Sequence, residues 1–173
     1  DRYGRVKVQF HWDREGKRDE NSSCWVRVSH PWAGKGWGAV AIPRIGQEVI
    51  VDFLEGDPDR PLVTGSLYNA DSMPAYTLPA HDSVSGWRSR TMASATPTDA
   101  NELRFEDKAG AEYVLLQAQK NFYRQVKANE YDKIGMDAYR TVGQNAYVDI
   151  TQNLTQMIGG DVKAQATGDV QWS

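Results

Sequence analysis

Cysteine is all but missing. Cys24 is the single one in 173 residues, which excludes an internal disulfide and a cysteine-based metal cluster. Histidine is scarce as well. His11, His30 and His81 lie far apart in separate segments, without the short paired spacings a zinc site uses. No apolar run approaches the roughly 18 residues a membrane-crossing helix needs. Charge of one sign is not in excess: 20 Lys and Arg face 23 Asp and Glu, for a net charge of -3. That balance argues against a general polyanion binder, while leaving a local basic patch open. Gly34, Gly36 and Gly38 are followed by neither a Lys-Ser/Thr pair nor a helical pattern, so they are not a phosphate loop. Two acidic pairs, Asp13 with Glu15 and Asp57 with Asp59, sit in turns beside Gly or Pro. Asp is at home in such turns because its carboxylate bonds nearby backbone. Neither pair is compelling as the two carboxylates of a glycosidase. The reading is therefore of a non-enzyme with no catalytic, cofactor or metal residues.

What is present is a period of eight. From Ala118 the sequence reads AQKNFYRQ, VKANEYDK, IGMDAYRT, VGQNAYVD, ITQNLTQM, IGGDVKAQ, ATGDVQWS. The first position holds Ala118, Val126, Ile134, Val142, Ile150, Ile158 and Ala166. The fourth holds Asn or Asp in every octad: Asn121, Asn129, Asp137, Asn145, Asn153, Asp161 and Asp169. The fifth is mostly apolar (Phe122, Ala138, Ala146, Leu154, Val162, Val170), with Glu130 the exception. The second is often small, at Gly135, Gly143, Thr151, Gly159 and Thr167.

An α-helix turns through about 800° in eight residues, so an apolar stripe would drift about 80° per repeat. The repeat also differs from the seven- and eleven-residue supercoil periods. Eight is even and fits strands, whose alternate residues share a face. Strand parity places positions one, three, five and seven together, with the third at a corner where the strand turns. Each octad becomes a short strand with a kink, and octads stack into a β-helix. One octad offers only two apolar residues, too few to close a core within a chain of this length. Coiling into a single-chain solenoid remains open, but seven octads make little more than two three-sided coils. Several intertwined chains sharing one core fit better. The expected shared core is Val126, Ile134, Val142, Ile150, Ile158, Leu154, Val162 and Val170.

Ahead of the octads, residues 1–70 carry five short apolar stretches separated by Gly, Pro and charged turns. Val6, Val8 and Phe10 alternate with polar residues. Further strands are expected over 25–29, 39–42, 48–54 and 62–67. Five short strands suit a small closed barrel, best the OB-fold. Residues 71–100, rich in Pro, Ser and Thr, read as a linker. Residues 101–117 read as a hairpin leading into the octads at 118–173. The fold class expected is all-β. The abrupt start at Asp1 and the end inside a repeat at Ser173 read as a fragment of something longer.

In order along the chain come Arg2-Tyr3-Gly4-Arg5-Val6-Lys7-Val8, Trp32-Ala33-Gly34-Lys35-Gly36-Trp37-Gly38 and Pro43-Arg44-Ile45-Gly46-Gln47-Glu48-Val49. Then follow Glu55-Gly56-Asp57-Pro58-Asp59-Arg60-Pro61, Asn101-Glu102-Leu103-Arg104-Phe105-Glu106-Asp107-Lys108 and the octads. Taken together these stretches resemble the VgrG family, the central spike of bacterial type VI secretion, and the related baseplate spike of contractile-tailed phages. The resemblance implies a homotrimer with an OB-fold and an intertwined triple-stranded β-helix. It also implies a tube (Hcp-like) protein at the base, a PAAR-type protein at the tip, effectors as cargo, and a target membrane crossed mechanically. It implies assembly on a cytoplasmic baseplate, injection into target cells, and no nucleic acid partner.

Competing uses of the same residues are weaker. Trp32, Lys35 and Trp37 would suit a stacking platform on an OB-fold trimer that binds glycan or nucleic acid. A turn held by aromatics is the plainer reading. Asn or Asp at each fourth position lacks the dense Gly-Gly-x-Gly-x-Asp pattern of calcium-binding repeats, which only Gly159-Gly160-Asp161 echoes. Tyr123, Tyr131, Tyr139 and Tyr147 recur at the sixth position as an outward ladder, a carbohydrate stripe being the alternative. The interval between barrel and octads is too short for a phage-type lysozyme domain.

Overall fold

The computed structural model describes residues 1–93, 96 and 98–168. It divides into two compact units, Asp1–Tyr123 and Arg124–Ser173. Its regular structure is all β, apart from one short 3-10 turn at Leu54–Gly56.

The first unit is built on β4 (Glu48–Phe53) and β5 (Pro61–Leu67), which pair antiparallel. Their joining turn is closed by Asp57, whose Oδ1 accepts the Asp59 amide at 3.0 Å. Ile50 faces Gly65 while Val51 faces Val63. Thr64 is therefore the extra residue of a bulge, which bends β5 and raises its twist. On the far side of β5 lies β1 (Arg27–Val28), parallel to it, giving the order β1-β5-β4. The small core sits here: Val26 and Val63 are each 1% exposed.

Two expected strands are held differently. Over 5–10 only Val6 makes a ladder bridge, exchanging hydrogen bonds of 2.9 and 2.8 Å with Val26. The next free amide, Val8, bonds to the Ser23 hydroxyl at 2.9 Å, so a side chain takes the place of a rung. Over 39–42 the Ala39 amide reaches the Trp32 carbonyl at 2.8 Å. The Ala41 amide donates to His30 Nδ1 at 3.4 Å. Those residues prolong a hairpin, β2 (Ala33–Gly34) with β3 (Trp37–Gly38), where a loop was expected. Trp32 and Trp37 meet edge to face at 5.2 Å between ring centroids. The hairpin requires its glycines. A Cβ at Gly34 would lie 2.2 Å from the Trp37 ring, and one at Gly38 (φ +132°) 2.4 Å from the Trp32 carbonyl oxygen.

The segment read as a linker contributes a strand. β6 (Val84–Arg88) pairs with β7 (Glu102–Glu106), which pairs with β8 (Tyr113–Gln117), all antiparallel. Directly opposed residues share a face. One face carries the row Trp87, Leu103, Leu116 and the row Ser85, Phe105, Val114. The other carries Arg88, Glu102, Gln117 and Gly86, Arg104, Leu115. On that polar face Glu102 is buried, 3.7 Å from Arg88 Nε and 3.4 Å from Arg104 Nε. The Tyr76 hydroxyl, from the segment ahead of β6, donates to Glu102 Oε1 at 3.0 Å. A buried carboxylate needs such partners to offset its desolvation. Arg44 Nη1 donates to the Arg90 carbonyl at 2.6 Å and ties the barrel-side loop to the chain beyond β6.

Candidate functional site on the octad face

From residue 118 onward the period appears in the backbone. Bends fall at 119–120, 127–128, 135–136, 143–144, 151–152, 159–160 and 167–168. Each is the second and third position of an octad. The small residues Gly135, Gly143, Thr151 and Gly159 stand where the chain must turn. Between bends run six-residue arms, positions four to eight and then position one of the next octad. Gln144 and Met136, both third-position residues, lie in bends.

Because each arm starts afresh after a bend, parity is counted within the arm. Positions five, seven and one share one face; four, six and eight share the other. Exposure in the single chain sorts the same way. First-position Val126, Ile134, Val142, Ile150 and Ile158 are 43–56% exposed. Leu154 and Val162 at the fifth position and Val148 at the seventh reach 64–72%. The sixth-position tyrosines Tyr123, Tyr131, Tyr139 and Tyr147 stand at 87–90%, and third-position Met136 at 91%. Val170 lies outside the described residues. On the opposite face the fourth and sixth positions meet, two residues apart. Asn121 Nδ2 donates to the Tyr123 hydroxyl at 3.3 Å, and the Tyr139 hydroxyl donates to Asp137 Oδ2 at 3.4 Å. Those contacts occupy fourth-position side chains with neighbouring tyrosines.

Among the described residues, 119–168 contain no strand pairing and no residue that is not exposed. Extended arms with unpaired amides and carbonyls are edges that another chain can complete. One charged contact stands on the apolar face. Arg124, a seventh-position residue, forms an ion pair with Glu130, the charged exception at position five. Strand parity in the sequence already puts the seventh position on this face, and the parity counted within each arm keeps it there, although the expected core took only first- and fifth-position residues.

The other candidate residues are placed in local structure. Asp13 Oδ1 accepts the amides of Glu15 (3.1 Å) and Gly16 (2.9 Å), and its Oδ2 accepts Gln9 Nε2 (2.9 Å). The Gln9 bond, then those amides, hold its carboxyl below the ordinary range, opposite to the raised value a general acid needs. His11 stands 3.9 Å from Glu48, His30 accepts the Ala41 amide, and His81 Nδ1 lies 3.0 Å from the Thr77 carbonyl. Among the described residues no group of three His, Cys, Asp or Glu converges as a metal site would.

Two family models match the chain, one on either side of residues 69–84. Residues 1–68 match the type VI secretion system/phage-baseplate injector OB domain. Residues 85–172 match the bacteriophage T4 gp5 C-terminal trimerisation domain. The chain belongs to the VgrG family of spike proteins. It is 60% identical over 121 residues to the type VI secretion system spike protein VgrG1b of Pseudomonas aeruginosa, a stretch covering 70% of this chain and 16% of that one. It is 51% identical over 127 residues to VgrG4b of the same organism, covering 73% of this chain and 16% of the relative. It is 53% identical over 122 residues to the actin cross-linking toxin VgrG1 of Vibrio cholerae, covering 70% of this chain and 11% of that toxin. The chain thus spans less than a fifth of the length of these relatives. The all-β architecture agrees with both family matches. The region matched as an OB domain contributes the sheet β1-β5-β4 and the hairpin β2-β3, and among the described residues these ladders do not run into a closed ring.

Proposed function

We propose that this chain is the OB-domain and needle-root portion of a trimeric spike in a contractile, type VI secretion machine. Three copies intertwine so that each arm forms one side of a three-sided prism. First- and fifth-position residues (Val126, Ile134, Val142, Ile150, Ile158, Leu154, Val162 and Val170) line the shared interior. The observation that carries this reading is the bend every eight residues, with an apolar face on each arm that one chain leaves exposed. The trimerisation-domain match over 85–172 supports three as the number of copies.

The work is mechanical. Inter-chain backbone ladders make the prism stiff and leave open edges only at its ends. A stiff prism driven by a contracting sheath crosses the target membrane without a chemical step, so neither enzyme activity nor a cofactor is required of this portion. The spike sits on an Hcp-like tube protein, bears a PAAR-type protein at its tip and carries effectors. It is assembled on the cytoplasmic baseplate and delivered out of the cell into a target. Support for effector carriage is the toxin named in the Vibrio cholerae relative, to which this chain is 53% identical over 122 residues.

The test is made in a bacterium whose full-length spike contains this portion. Val142→Asp with Ile150→Asp should abolish release of the tube protein into the medium and killing of neighbouring cells, while Gln144→Asp leaves both intact. Undiminished tube release from the double variant would overturn the reading.

A further inference from the structure

An eight-residue apolar repeat has a weakness as an assembly code. If one chain slides past another by a whole octad, Val126 is replaced by Ile134, Ile134 by Val142, and every bend still meets a bend. The apolar columns accept all such offsets alike, as strand register is poorly specified wherever its pattern repeats. Something else must choose among them.

Charge on the apolar face is confined to its first three arms. It consists of Arg124, Glu130, Asp132 and Arg140: the fifth-position exception and three consecutive seventh-position residues of alternating sign. Later in that column come Val148, Gln156 and Ala164, without charge. Arg124 and Glu130 already pair within one chain, across a bend. Arg124, Asp132 and Arg140 are each eight residues apart, so partners for Asp132 and Arg140 must be sought between arms.

We infer that the column Arg124, Asp132, Arg140 is an inter-chain charge ladder that fixes the offset between neighbouring copies at one octad. The inference rests on the three-sided prism proposed above. With one arm per side and threefold symmetry, adjacent strands on a side come from different copies. The copy arriving from the previous side has advanced by one octad. Arg124 then lies beside Asp132 of its neighbour, and Asp132 beside Arg140 of the next. Strands are spaced about 4.8 Å apart, and opposite charges in laterally paired positions attract while like charges repel. With no offset, Arg124 faces Arg124 and Asp132 faces Asp132. With an offset of two, Arg124 faces Arg140 and Asp132 has no partner in its column. Only the one-octad offset pairs opposite signs at both steps. A polar pair inside an apolar seam is known to set alignment in this way, often without adding stability. In the tyrosine column on the opposite face Tyr123, Tyr131, Tyr139 and Tyr147 are uncharged, and the column's one charge, Lys163, has Thr155 and Gln171 one octad to either side, so it makes no alternating ladder.

The test is cross-linking of the whole chain in a Cys24→Ser background. Tyr139→Cys and Tyr147→Cys replace two sixth-position residues on successive arms, on the face away from the ladder. At an offset of one octad, residue 139 of each copy lies beside residue 147 of its neighbour, within the reach of a disulfide. Oxidation should link all three copies covalently when both substitutions are present, and neither single variant should cross-link. Adding Asp132→Arg should lower the covalent trimer yield at least tenfold. Inverting the whole set, with Arg124→Asp, Glu130→Arg, Asp132→Arg and Arg140→Asp together, should restore it to within twofold. An unchanged yield with Asp132→Arg, or no recovery on full inversion, overturns the ladder while the trimer stands. Single variants that cross-link as readily as the pair overturn the one-octad offset. A monomeric mass before oxidation overturns the prism itself.

Discussion

The Tyr76 hydroxyl donates to Glu102 Oε1 at 3.0 Å, joining the segment ahead of β6 to the buried end of the central strand β7. Glu102 is also flanked by two guanidinium groups, so its charge is compensated only while all three partners are in place. Tyr76→Phe should cost about 1–2 kcal/mol of unfolding free energy, the usual loss when a buried acceptor gives up one donor. Chemical denaturation of the two proteins measures it.

The same contact predicts an alkaline weakness. Burial first, and then the hydrogen bond to Glu102, push the Tyr76 phenol above its ordinary 10.0. A raised folded value favours the protonated form. The stability it contributes is therefore full below pH 10.0 and is lost as pH rises through the folded value. A phenolate absorbance titration should show one tyrosine ionising later than the rest in the native protein, and Tyr76→Phe should remove it.

Acid acts elsewhere. Glu106 is held below its ordinary value first by the Ser83 hydroxyl, which bonds Oε1 at 2.5 Å, against a smaller opposing desolvation. The Asp13 carboxyl is lowered by Gln9 and two turn amides. Both contributions are present above the unfolded values and disappear as pH falls through the lowered ones. Carboxyl carbon shifts followed by NMR should give midpoints below 3.8 for Asp13 and below 4.5 for Glu106. Ser83→Ala should return Glu106 toward 4.5.

Gly38 tests the tryptophan hairpin. Its φ of +132° and the 2.4 Å approach of a would-be Cβ to the Trp32 carbonyl leave no room for a side chain. Gly38→Ala should cost on the order of 1–3 kcal/mol and change tryptophan fluorescence by parting Trp32 from Trp37. Gly36, whose Cβ would meet open space, is the comparison: Gly36→Ala bears only the penalty of its positive φ.

The octad face is tested by two substitutions two residues apart. Val142→Asp would place three carboxylates in the proposed interior, each costing several kcal/mol of desolvation or staying protonated. Gln144→Asp falls in a bend and should cost about 0.5 kcal/mol or less. Thermal melting with mass determination distinguishes them. Equal melting temperatures, with both variants still trimeric, would show that the face is assigned wrongly.

How far the sequence led depends on the kind of signal. The octads declare themselves because one residue type recurs at each fourth position, and an even period admits strands and excludes a straight helical stripe. Continuous parity puts positions one, three, five and seven on one face, and the polar or unbranched residues at the third mark it as a corner. The bends at 135–136 and 143–144 fall at that corner, on Met136 and Gln144, and positions five, seven and one stay together within each arm. β6 was missed because Val84-Ser85-Gly86-Trp87-Arg88 holds only two large apolar residues and a glycine. Its strand conformation comes from pairing with β7, a contact made across the intervening chain. Strand 5–10 was over-read because alternation reports a half-buried face and says nothing of whether a neighbour such as Ser23 supplies the rung. The alternating charges of Arg124, Asp132 and Arg140 are plain in the sequence, but the arm boundaries are needed to put them in one column of one face.

The central claim is that the exposed octad face is completed by two further copies of the same chain. Light scattering coupled to size-exclusion chromatography, at micromolar concentration and after tenfold dilution, measures this directly. The account predicts a mass three times that of the 19.4 kDa chain, unchanged by dilution. A stable mass of one chain would contradict it.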